Sequence, residues 1–597
     1  MTKEIYNERI LAAQEELQAI EKRVYIIYAA RIVTFFIAIA SAVVSFAEVN
    51  STPYIIAAVI SIVCFALLVK VDLTLSSRKR YLKHKIDICK GEIDCLGGIY
   101  FAREDGDCYR YIDKHLMADF DLVGRGSLFQ YLNRSATKIG ERRFIENICR
   151  PEHTPEEINR RQKAVIELSD KLDFMQDFQI IGKMLGENHN DAELLSEWIE
   201  SENVDAKRVK ILSIATPAIM ATWILLYILG ATILESITIP IVLNLIISFS
   251  QNRTLDREHT QLNKAVKVTE KYTKLISLIE RESFSSEPLA DAKSKLTTNE
   301  IELSGSFAKL SQLLHMFDSR YNLLAVLVLN ALFGYNLQLA RSLESWRKRS
   351  HGKSRDWFEA IATIDSFISL GVFAINNNIT TIYPTVAGSS SGFLLDAQAL
   401  AHPLIAVQER VGNDITITKS PAIIVITGAN MAGKSTFLRS IAVNMLLAMN
   451  GAPVVAESFR FTPCDIISSI KIQDSLHAKE SYFYAEISRL KQIVEHCAIA
   501  PRTMVVLDEI LRGTNTKDKQ LGSLGLLKKL ISERSIVFIA THDLVIGELE
   551  QELPDIAQNH CFEVELEDDA LRFDYKLKRG VSQKLNASYL LHKMGLI

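Results

Sequence analysis

The stretch from Gly428 to Ser435 has the residue types and spacing of a phosphate-binding loop. It reads GANMAGKS, matches the pattern G-x-x-x-x-G-K-[ST], and directly follows five apolar or β-branched residues, Ile423 to Thr427, that predict a buried strand. In such a loop the glycines let backbone N–H groups curl around phosphates, and the following helix presents its positive N-terminus. Lys434 can then reach the β- and γ-phosphates, and Ser435 can hold Mg²⁺. The predicted nucleotide-contacting residues of this segment are Gly428, Ala429, Asn430, Met431, Ala432, Gly433, Lys434, Ser435 and Thr436.

Two further strands are predicted to supply acids and a histidine to the same site. The apolar run Met504 to Leu507 is followed directly by Asp508 and Glu509. We expect Asp508 to support Mg²⁺ through water, and Glu509 to orient or deprotonate an attacking water. A third strand, SIVFIATHD, ends in Thr541 and His542, where a contact with a γ-phosphate is predicted. A histidine at a strand end is more often structural, and its spacing after the two acids is what favours the functional assignment.

These segments resemble the ATPase domain of the MutS mismatch-repair proteins. The resemblance rests on TGANMAGKST, DEILRGTNT and ATHD, and also on HPLI with VGNDITI (His402 to Ile417) and on ESYFYAEISRL. It implies an ABC-type ATPase that uses ATP and Mg²⁺, with Lys434, Glu509 and His542 as its catalytic residues. It also implies a homodimer with composite sites, in which Ser481 completes the nucleotide site of the opposite subunit.

The C-terminal tail extends this resemblance, and two positions depart from it. Tyr575, in DYKLKRGVSQKLNASYLLHKMG, stands where the family places an aromatic residue or a histidine beside adenine; a tyrosine of the protein core is the alternative. Arg410 stands where the family often has an adenine-stacking aromatic residue, and Leu511 replaces a glycine. Neither departure removes a catalytic group.

The resemblance continues upstream of the ATPase domain. Ser127 to Val165 is similar to the start of the MutS core and lever domain, and Trp357 to Ala374 to its returning helix. Both segments show apolar residues at helical spacing, and Pro151 and Pro155 mark a break between helices. The N-terminal hundred residues, however, are mostly apolar hairpin, so the resemblance implies a variant that lacks the mismatch-reading N-terminal domain.

Composition bounds the remaining possibilities. A chain of 597 residues allows about three or four domains. Its formal net charge of −3 does not predict a generally basic surface for binding nucleic acid. Any contact with DNA must therefore come from local basic patches or from shape. The eight cysteines occur singly, without metal-ligand spacing, which predicts neither a disulfide framework nor a zinc site.

Two pairs of apolar runs are candidate transmembrane hairpins. The first pair extends from Val24 to Val69, and the second from Ile211 to Asn252, with acidic residues at the turns. Lysines and arginines flank the other end of each pair, so the positive-inside rule predicts turns outside the cell and every large segment in the cytoplasm. The predicted location is therefore the cell (inner) membrane, multi-pass, with the lipid bilayer as a partner. The uncharged run Tyr321 to Ala340 is predicted to be a core or membrane-facing helix, because a fifth crossing would place the ATPase domain outside.

The predicted fold class is multidomain α and α/β, with two transmembrane helical hairpins, an α-helical MutS-like core and lever domain, and a C-terminal ABC-type P-loop ATPase domain. The predicted boundaries are 1–23 for an N-terminal helix, 24–70 for the first hairpin, 71–206 for the first core and lever segment, 207–253 for the second hairpin, 254–386 for the second core and lever segment, and 387–597 for the ATPase domain.

The leading functional hypothesis is a membrane-anchored MutS-family ATPase that binds and clamps DNA. The alternatives are an ATP-gated membrane scaffold and a transport-related ATPase, neither acting on DNA. A Phe-x-Glu motif of the kind that reads mismatches occurs at Phe46 to Glu48, but it lies at the far turn of the first hairpin. DNA is therefore expected as a partner by resemblance, and no base-reading motif supports mismatch recognition.

Overall fold

A computed structural model describes residues 2–47, 52–201, 206–250, 265–298, 301–318, 323–388, 392–471, 482–500, 502–567 and 570–582. Over these residues the protein is mostly helical, and its main β-sheets lie in the C-terminal part. This agrees with the α and α/β class predicted from the sequence.

Two long helices form the first hairpin, α1 (Thr2–Ala47) and α2 (Thr52–Leu96). They run in opposite directions, and three ion pairs join them: Arg31 to Asp72 at 2.5 Å, Arg78 to Glu16 at 2.7 Å and Lys79 to Glu21 at 2.8 Å. The half that lies away from the turn packs on the helical core, where Arg9 of α1 contacts Asp173 at 2.5 Å. The turn-proximal half leaves most of its apolar side chains exposed.

The other helices follow in chain order. They are α3 (Lys114–Asp119), α4 (Leu128–Leu132), α5 (Lys138–Cys149), α6 (Pro155–Ser169), α7 (Leu172–Met184), α8 (Asp191–Glu200), α9 (Ala206–Ile228), α10 (Thr238–Phe249), α11 (Ala265–Arg281), α12 (Glu287–Leu296), α13 (Leu303–Asp318), α14 (Leu323–Phe333), α15 (Tyr335–Ser350), α16 (Ser354–Asn376), α17 (Lys434–Met449), α18 (Tyr482–Ile499), α19 (Thr516–Ser532) and α20 (Leu549–Glu552). Short 3₁₀ helices occur at Asp107–Tyr109, Leu234–Ile237 and Leu544–Glu548.

Helix α16 is the central element of the helical core, and one buried carboxylate fixes it to α5. Asp365 of α16 accepts hydrogen bonds from the backbone N–H groups of Ala136 and Thr137, both at 2.9 Å, and from the Thr137 hydroxyl at 2.7 Å. Burial raises the pKa of Asp365 to about 6 in spite of these three donors. Gly140 is required here, because a Cβ at that position would overlap the Asp365 side chain. The sequence-predicted return helix is thus tied to the segment predicted as the start of the core.

A buried ion pair joins the first hairpin to this core. Glu92 of α2 contacts Arg134 through both carboxylate oxygens, at 2.6 and 2.9 Å, and both side chains are almost completely buried. Arg103 adds a third contact at 3.0 Å, and Asn376 of α16 donates to Glu92 at 2.8 Å. Burial alone would raise the pKa of Glu92, but the guanidinium groups of Arg134 and Arg103 outweigh burial and hold it well below its usual range. The carboxylate is therefore ionised inside the protein.

The strands in chain order are β1 (Thr297–Thr298), β2 (Ile301–Glu302), β3 (Thr385–Val386), β4 (Leu395–Leu400), β5 (Asn413–Ile417), β6 (Ala422–Gly428), β7 (Ser458–Phe461), β8 (Asp465–Ser469), β9 (Thr503–Asp508), β10 (Ile536–Thr541), β11 (Ala557–Glu567) and β12 (Ala570–Arg579). A six-stranded sheet has the order β12-β11-β6-β10-β9-β8, in which only β12 is antiparallel to its neighbour. A four-stranded sheet has the order β3-β7-β4-β5, and β1 pairs with β2 in a short hairpin. Strands β6, β9 and β10 are fully buried, which explains their unbroken apolar sequences.

Four helices of the described chain are long and apolar enough to cross a membrane, judged by length and composition: Thr2–Ala47, Thr52–Leu96, Lys207–Ile228 and Ser354–Asn376. Each of the first three includes a predicted span, and α1 and α2 extend well beyond theirs, because α1 also contains the N-terminal helix predicted at 1–23. The fourth is α16, and 83% of its apolar window is buried inside the protein, which is consistent with its assignment as a core helix. The fourth predicted span appears instead as the shorter apolar segment Leu234–Phe249, formed by a 3₁₀ turn and α10.

Removing Arg134 should strongly destabilise the junction between hairpin and core. Arg134→Ala leaves the Glu92 carboxylate buried without its main partner, and breaking such a pair costs about 3–5 kcal/mol. Arg142→Ala is the matched control, because Arg142 forms only exposed ion pairs, with Glu146 and Glu193, and these contribute about 0–1 kcal/mol. The measurement is the apparent melting temperature in detergent. Equal melting temperatures for the two variants would contradict the assigned importance of the pair.

Candidate active site

Three neighbouring parallel strands bring the predicted site residues to one edge of the large sheet. Strands β6, β10 and β9 are adjacent, and their registers pair Thr541 with Thr427 and Ala540 with Asp508. Their carboxyl ends therefore lie side by side, which is where ligands bind in open α/β sheets. The loop after β6, the acids after β9 and the histidine after β10 converge at this edge, as the sequence predicted.

The loop after β6 has the backbone conformation that its glycines allow. Gly428 has φ of 143° and Gly433 has φ of 110°, a region that favours glycine, and α17 begins at the next residue, Lys434. The Lys434 ammonium group folds back over the loop and donates to the carbonyl oxygens of Gly428 and Ala429 at 2.8 and 2.9 Å. Burial lowers the pKa of Lys434. A cation thus lies over a loop of backbone N–H groups at a helix N-terminus, an arrangement that fits phosphate.

Two oxygen ligands suited to Mg²⁺ lie next to this loop. The Ser435 hydroxyl donates to Oδ2 of Asp508 at 2.5 Å, and the Asp508 side chain is buried. No group of three or more His, Cys, Asp or Glu side chains with metal-binding geometry occurs among the described residues. Mg²⁺ does not need such a group, because it commonly binds one or two protein oxygens together with phosphates and water. Ser435 and Asp508 therefore fit Mg²⁺ in the presence of a phosphorylated ligand.

Glu509 and His542 form a pair beside the loop. Nε2 of His542 lies 3.0 Å from Oε1 of Glu509 and 2.8 Å from Oδ1 of Asn430, while Arg512 contacts the other Glu509 oxygen at 3.2 Å. The hydrogen bond from His542 is the main reason that the pKa of Glu509 falls to about 2, although partial burial opposes the shift. Glu509 also has φ of 48°, an uncommon left-handed conformation for a residue with a side chain. The site therefore holds an ionised carboxylate in a fixed, strained position.

Leu511 has a backbone conformation that explains why a glycine is expected there. Its φ is 60°, and its N–H donates to Oε1 of Glu486 at 2.6 Å, which links the turn after Glu509 to α18. The Leu511 side chain is buried in the apolar cluster beneath the sheet. At Leu511 the left-handed backbone conformation lowers stability, and the burial of the large side chain raises it.

A cavity of about 690 Å³ extends from the loop toward β5 and β12. Its wall includes Tyr575, which stacks on Phe573 with ring centroids 5.9 Å apart. Asn413 fixes this wall, because its side chain donates to the carbonyl of Tyr575 at 3.0 Å and accepts from the N–H of Leu577 at 2.7 Å. Asn413 was not predicted from the sequence to be a site residue, although it lies in the VGNDITI segment. The size and position of the cavity suit a ligand of nucleoside size next to the loop after β6.

Arg410 does not replace an aromatic residue in this cavity. Its guanidinium group braces its own loop by donating to the carbonyl oxygens of Ile405 and Pro403 at 2.6 and 2.9 Å. It also reaches the Thr380 hydroxyl at 3.4 Å. Ser481, predicted to act on the opposite subunit, lies outside the described residues, which resume at Tyr482.

Two family models match this chain. The model described as MutS domain III matches residues 115–371, and the model described as MutS domain V matches residues 424–593. The first covers most of the helical core, and the second covers the large sheet with its strand-end site. Together they define a helical core domain joined to an α/β domain of the MutS type.

Individual relatives agree with these matches. A protein named DNA mismatch repair protein MutS from Aquifex pyrophilus is 36% identical over 194 residues, which is 32% of this chain and 22% of the relative. DNA mismatch repair protein MSH3 from Candida glabrata is 30% identical over 233 residues, or 37% and 22% of the two chains. MutS protein homolog 4 from Mus musculus is 31% identical over 196 residues, or 31% and 20%. The chain thus matches about a fifth of the length of these relatives. It belongs to the MutS family.

Substitutions at Leu511 should separate backbone strain from side-chain burial. Leu511→Gly and Leu511→Ala both lose the buried side chain, but only glycine adopts positive φ without strain, so the glycine variant should be more stable by about 1 kcal/mol. At the exposed helical position Leu521 of α19 the order should be reversed, with glycine less stable than alanine by about 1 kcal/mol. Melting temperatures of the four variants test this expectation. The same order at both positions would show that Leu511 is not strained.

Proposed function

We propose that this protein is a membrane-anchored MutS-family ATPase that binds and clamps DNA in an ATP-dependent manner. The observation that carries the proposal is the convergence of Lys434, Ser435 with Asp508, and Glu509 with His542 at one edge of the sheet, beside a cavity of about 690 Å³. The names of the relatives, which refer to DNA mismatch repair, support the choice of DNA as the partner.

The reaction we propose is hydrolysis of ATP to ADP and phosphate. The loop N–H groups and Lys434 bind the β- and γ-phosphates, and Lys434 exchanges its contacts with the loop carbonyls for phosphate oxygens. Ser435 and Asp508 hold Mg²⁺, which offsets the negative charge of the phosphates when it is bound. Glu509 orients a water for attack on the γ-phosphorus and accepts its proton as the bond to the β,γ-bridging oxygen breaks. His542 contacts the γ-phosphate and fixes the Glu509 carboxylate.

The ATPase in this proposal is of the ABC type and works as a homodimer. Each nucleotide is held between one phosphate loop and the partner's Ser481, and Tyr575 lies beside the adenine. In this arrangement the partner subunit can influence catalysis through Ser481. The hydrogen bond between Leu511 and Glu486 supports this coupling, because α18, which carries Glu486, directly follows the Ser481 segment, and Leu511 follows Glu509 by two residues. A change at the partner-facing segment can thereby reach the catalytic carboxylate.

Membrane anchoring by the two hairpins is part of the same proposal, with the domain boundaries given above and the core and ATPase domains in the cytoplasm. It is supported by the exposed apolar side chains of α1 and α2 near their turn. In the most apolar part of α1 no residue is buried by the rest of the protein. In this topology Phe46, 93% exposed at the end of α1, lies on the far side of the membrane from cytoplasmic DNA. For this reason the proposal includes DNA binding and leaves out mismatch reading.

Substitution of the catalytic carboxylate should separate ATP binding from turnover. Glu509→Gln should retain ATP and lower the hydrolysis rate by about 100-fold or more, because the amide cannot accept the proton. Lys434→Ala should instead weaken nucleotide binding, while Glu495→Gln, which alters an exposed carboxylate of α18, should behave like wild type. Single-turnover hydrolysis and binding of a fluorescent ATP analogue provide the two readouts. Wild-type turnover in Glu509→Gln would exclude the proposed role.

DNA binding by the detergent-purified protein should decrease steeply with salt. Each phosphate contacted by a lysine or arginine contributes a slope of about −0.9 to log K against log salt on duplex DNA. Fluorescence anisotropy with a labelled duplex, measured from low to physiological salt and with or without ATP, determines this slope. Absence of binding even at low salt would favour the scaffold or transport alternatives over DNA clamping, whatever the ATPase result.

A further inference from the structure

Helix α14 is an apolar segment seated on the second hairpin. It lies within Tyr321 to Ala340, a run of the sequence with no charged residue. In the structure α14 packs along α10 and also contacts α9, the two helices of that hairpin. Its side chains at Val326 and Ala331 are buried. Any environment that surrounds the second hairpin therefore also surrounds α14.

A buried asparagine fixes α14 to both hairpin helices. Asn244 of α10 is fully buried, and its amide group donates to the carbonyl of Thr216 in α9 at 3.1 Å and to the carbonyl of Ala331 in α14 at 2.9 Å. In an apolar environment such hydrogen bonds are costly to lose, because no water replaces them. The three helices are thus connected through one side chain.

The chain reverses direction after α14 at Gly334. This residue has φ of 61°, and a Cβ there would overlap the Thr216 side chain, so only glycine fits. Two hydrogen bonds close the turn: the Gly334 N–H donates to the carbonyl of Asn330 at 3.1 Å, and the Asn336 N–H donates to Oδ1 of Asn330 at 2.9 Å. Backbone N–H groups at a helix break need partners of this kind at membrane depth, where no water is present.

The turn at Gly334 lies beside the apolar part of α9. The helices before and after the segment lie on the side of the charged end of α9. Thr216, beside Gly334, is six residues beyond Lys210, a distance of about 9 Å along the helix. Gln338 in α15 donates to the carbonyl of Ser213, which is nearer to Lys210, so α15 leads back toward the charged end of α9. The hydroxyl of Tyr335 at the start of α15 lies 3.3 Å from the carbonyl of Met316 near the end of α13. The helices before and after α14, α13 and α15, therefore lie beside each other, on the side of the charged end of α9.

The other face of α14 carries apolar side chains that are more than half exposed. Val328 is 56% exposed and Phe333 is 54% exposed. Both helices that carry α14 have exposed apolar side chains of their own, among them Leu225 of α9 and Ile246 of α10. Asp, Glu, Lys and Arg are absent from the whole run, as expected for contact with lipid and unlike the surface of an ordinary core helix.

We propose that the segment from α14 to the first turn of α15 is a re-entrant membrane element that enters and leaves the bilayer on the cytoplasmic side and contacts lipid acyl chains through Val328 and Phe333. This inference rests on the membrane anchoring in the proposed function and adds a third membrane element to the two hairpins. Because the segment enters and leaves on one side, the number of complete crossings stays even and the ATPase domain stays in the cytoplasm.

Site-directed spin labelling of the full-length protein in lipid nanodiscs tests the proposal. Single cysteines replace Val328 and Phe333 in a variant without the eight native cysteines that retains ATPase activity. Cysteines at Phe36 in α1, 63% exposed, and at Ile379 after α16, 79% exposed, are the lipid and water references. Labels at Val328 and Phe333 should be relaxed strongly by oxygen and weakly by a water-soluble nickel complex, as at Phe36 and unlike at Ile379.

The possible outcomes separate this inference from the proposed function. Nickel access at Val328 and Phe333 combined with protection at Phe36 would overturn the re-entrant element and leave the anchoring intact. Low access of both reagents at Val328 and Phe333 would also overturn it, because a protein surface then covers α14. Nickel access at Phe36 as well would overturn the membrane anchoring itself.

A second measurement tests the fixation of α14 by Asn244. Asn244→Ala should increase the mobility of the label at position 328, because α14 loses its hydrogen bond to the hairpin. Ser250→Ala, which removes an exposed hydroxyl whose one hydrogen bond within the described residues is to the carbonyl of Ile247, should leave the spectrum unchanged. Identical spectra for wild type and Asn244→Ala would overturn the assignment of Asn244 as the anchor.

Discussion

The buried ion pair between Glu92 and Arg134 is the interaction on which the arrangement of the protein depends. Both charges are removed from water, so each is tolerated only while the other is in place. The pair lies where α2, the segment before α5 and the end of α16 meet, and Asn376 shares the same carboxylate. Asn376 also accepts a hydrogen bond from Tyr6 at 2.9 Å, which brings the start of α1 into the same network. The direction of the first hairpin relative to the core is therefore constrained by hydrogen-bonded charges, which permit little variation in geometry.

The candidate active site depends on a different constraint, the register of three parallel strands. A shift of one residue between β9 and β10 would move Glu509 away from His542 and place opposite faces of the strands together. The strained backbone at Glu509 and Leu511 can persist because Glu509 directly follows a fully buried strand and Leu511 lies only two residues further on. The bond from the Glu509 N–H to the carbonyl of Ala540 at 2.9 Å continues the sheet by one more residue and holds the carboxylate next to β10. The surrounding sheet thus compensates for the local strain.

The sequence predicted the parts of the site whose spacing follows from one strand, loop and helix. It placed Asp508, Glu509 and His542 at strand ends, and Lys434 and Ser435 at the end of the loop that follows a third strand. The register of the sheet brings these strand ends together. It did not predict the support given by Asn413 or Glu486, because these contacts join segments far apart in the chain and ordinary Asn and Glu residues carry no local signal. The same limit applies to Asp365, which lies in a strongly apolar helix and caps another helix more than two hundred residues away. Hydropathy predicted the long apolar helices, but it could not distinguish α16, which is buried among its neighbours, from helices with bare surfaces.

The length of α1 has an electrostatic consequence. From Tyr6 at the core junction to Val24, where the first apolar run begins, the helix rises about 27 Å. At physiological ionic strength the potential of a charged surface decays over a screening length of about 8 Å. If the first hairpin spans the bilayer, its base lies about three screening lengths from the edge of the membrane. An anionic membrane would then neither repel nor attract a polyanion bound at that level of the core, and the affinity for such a polymer would be governed by the charges of the core itself.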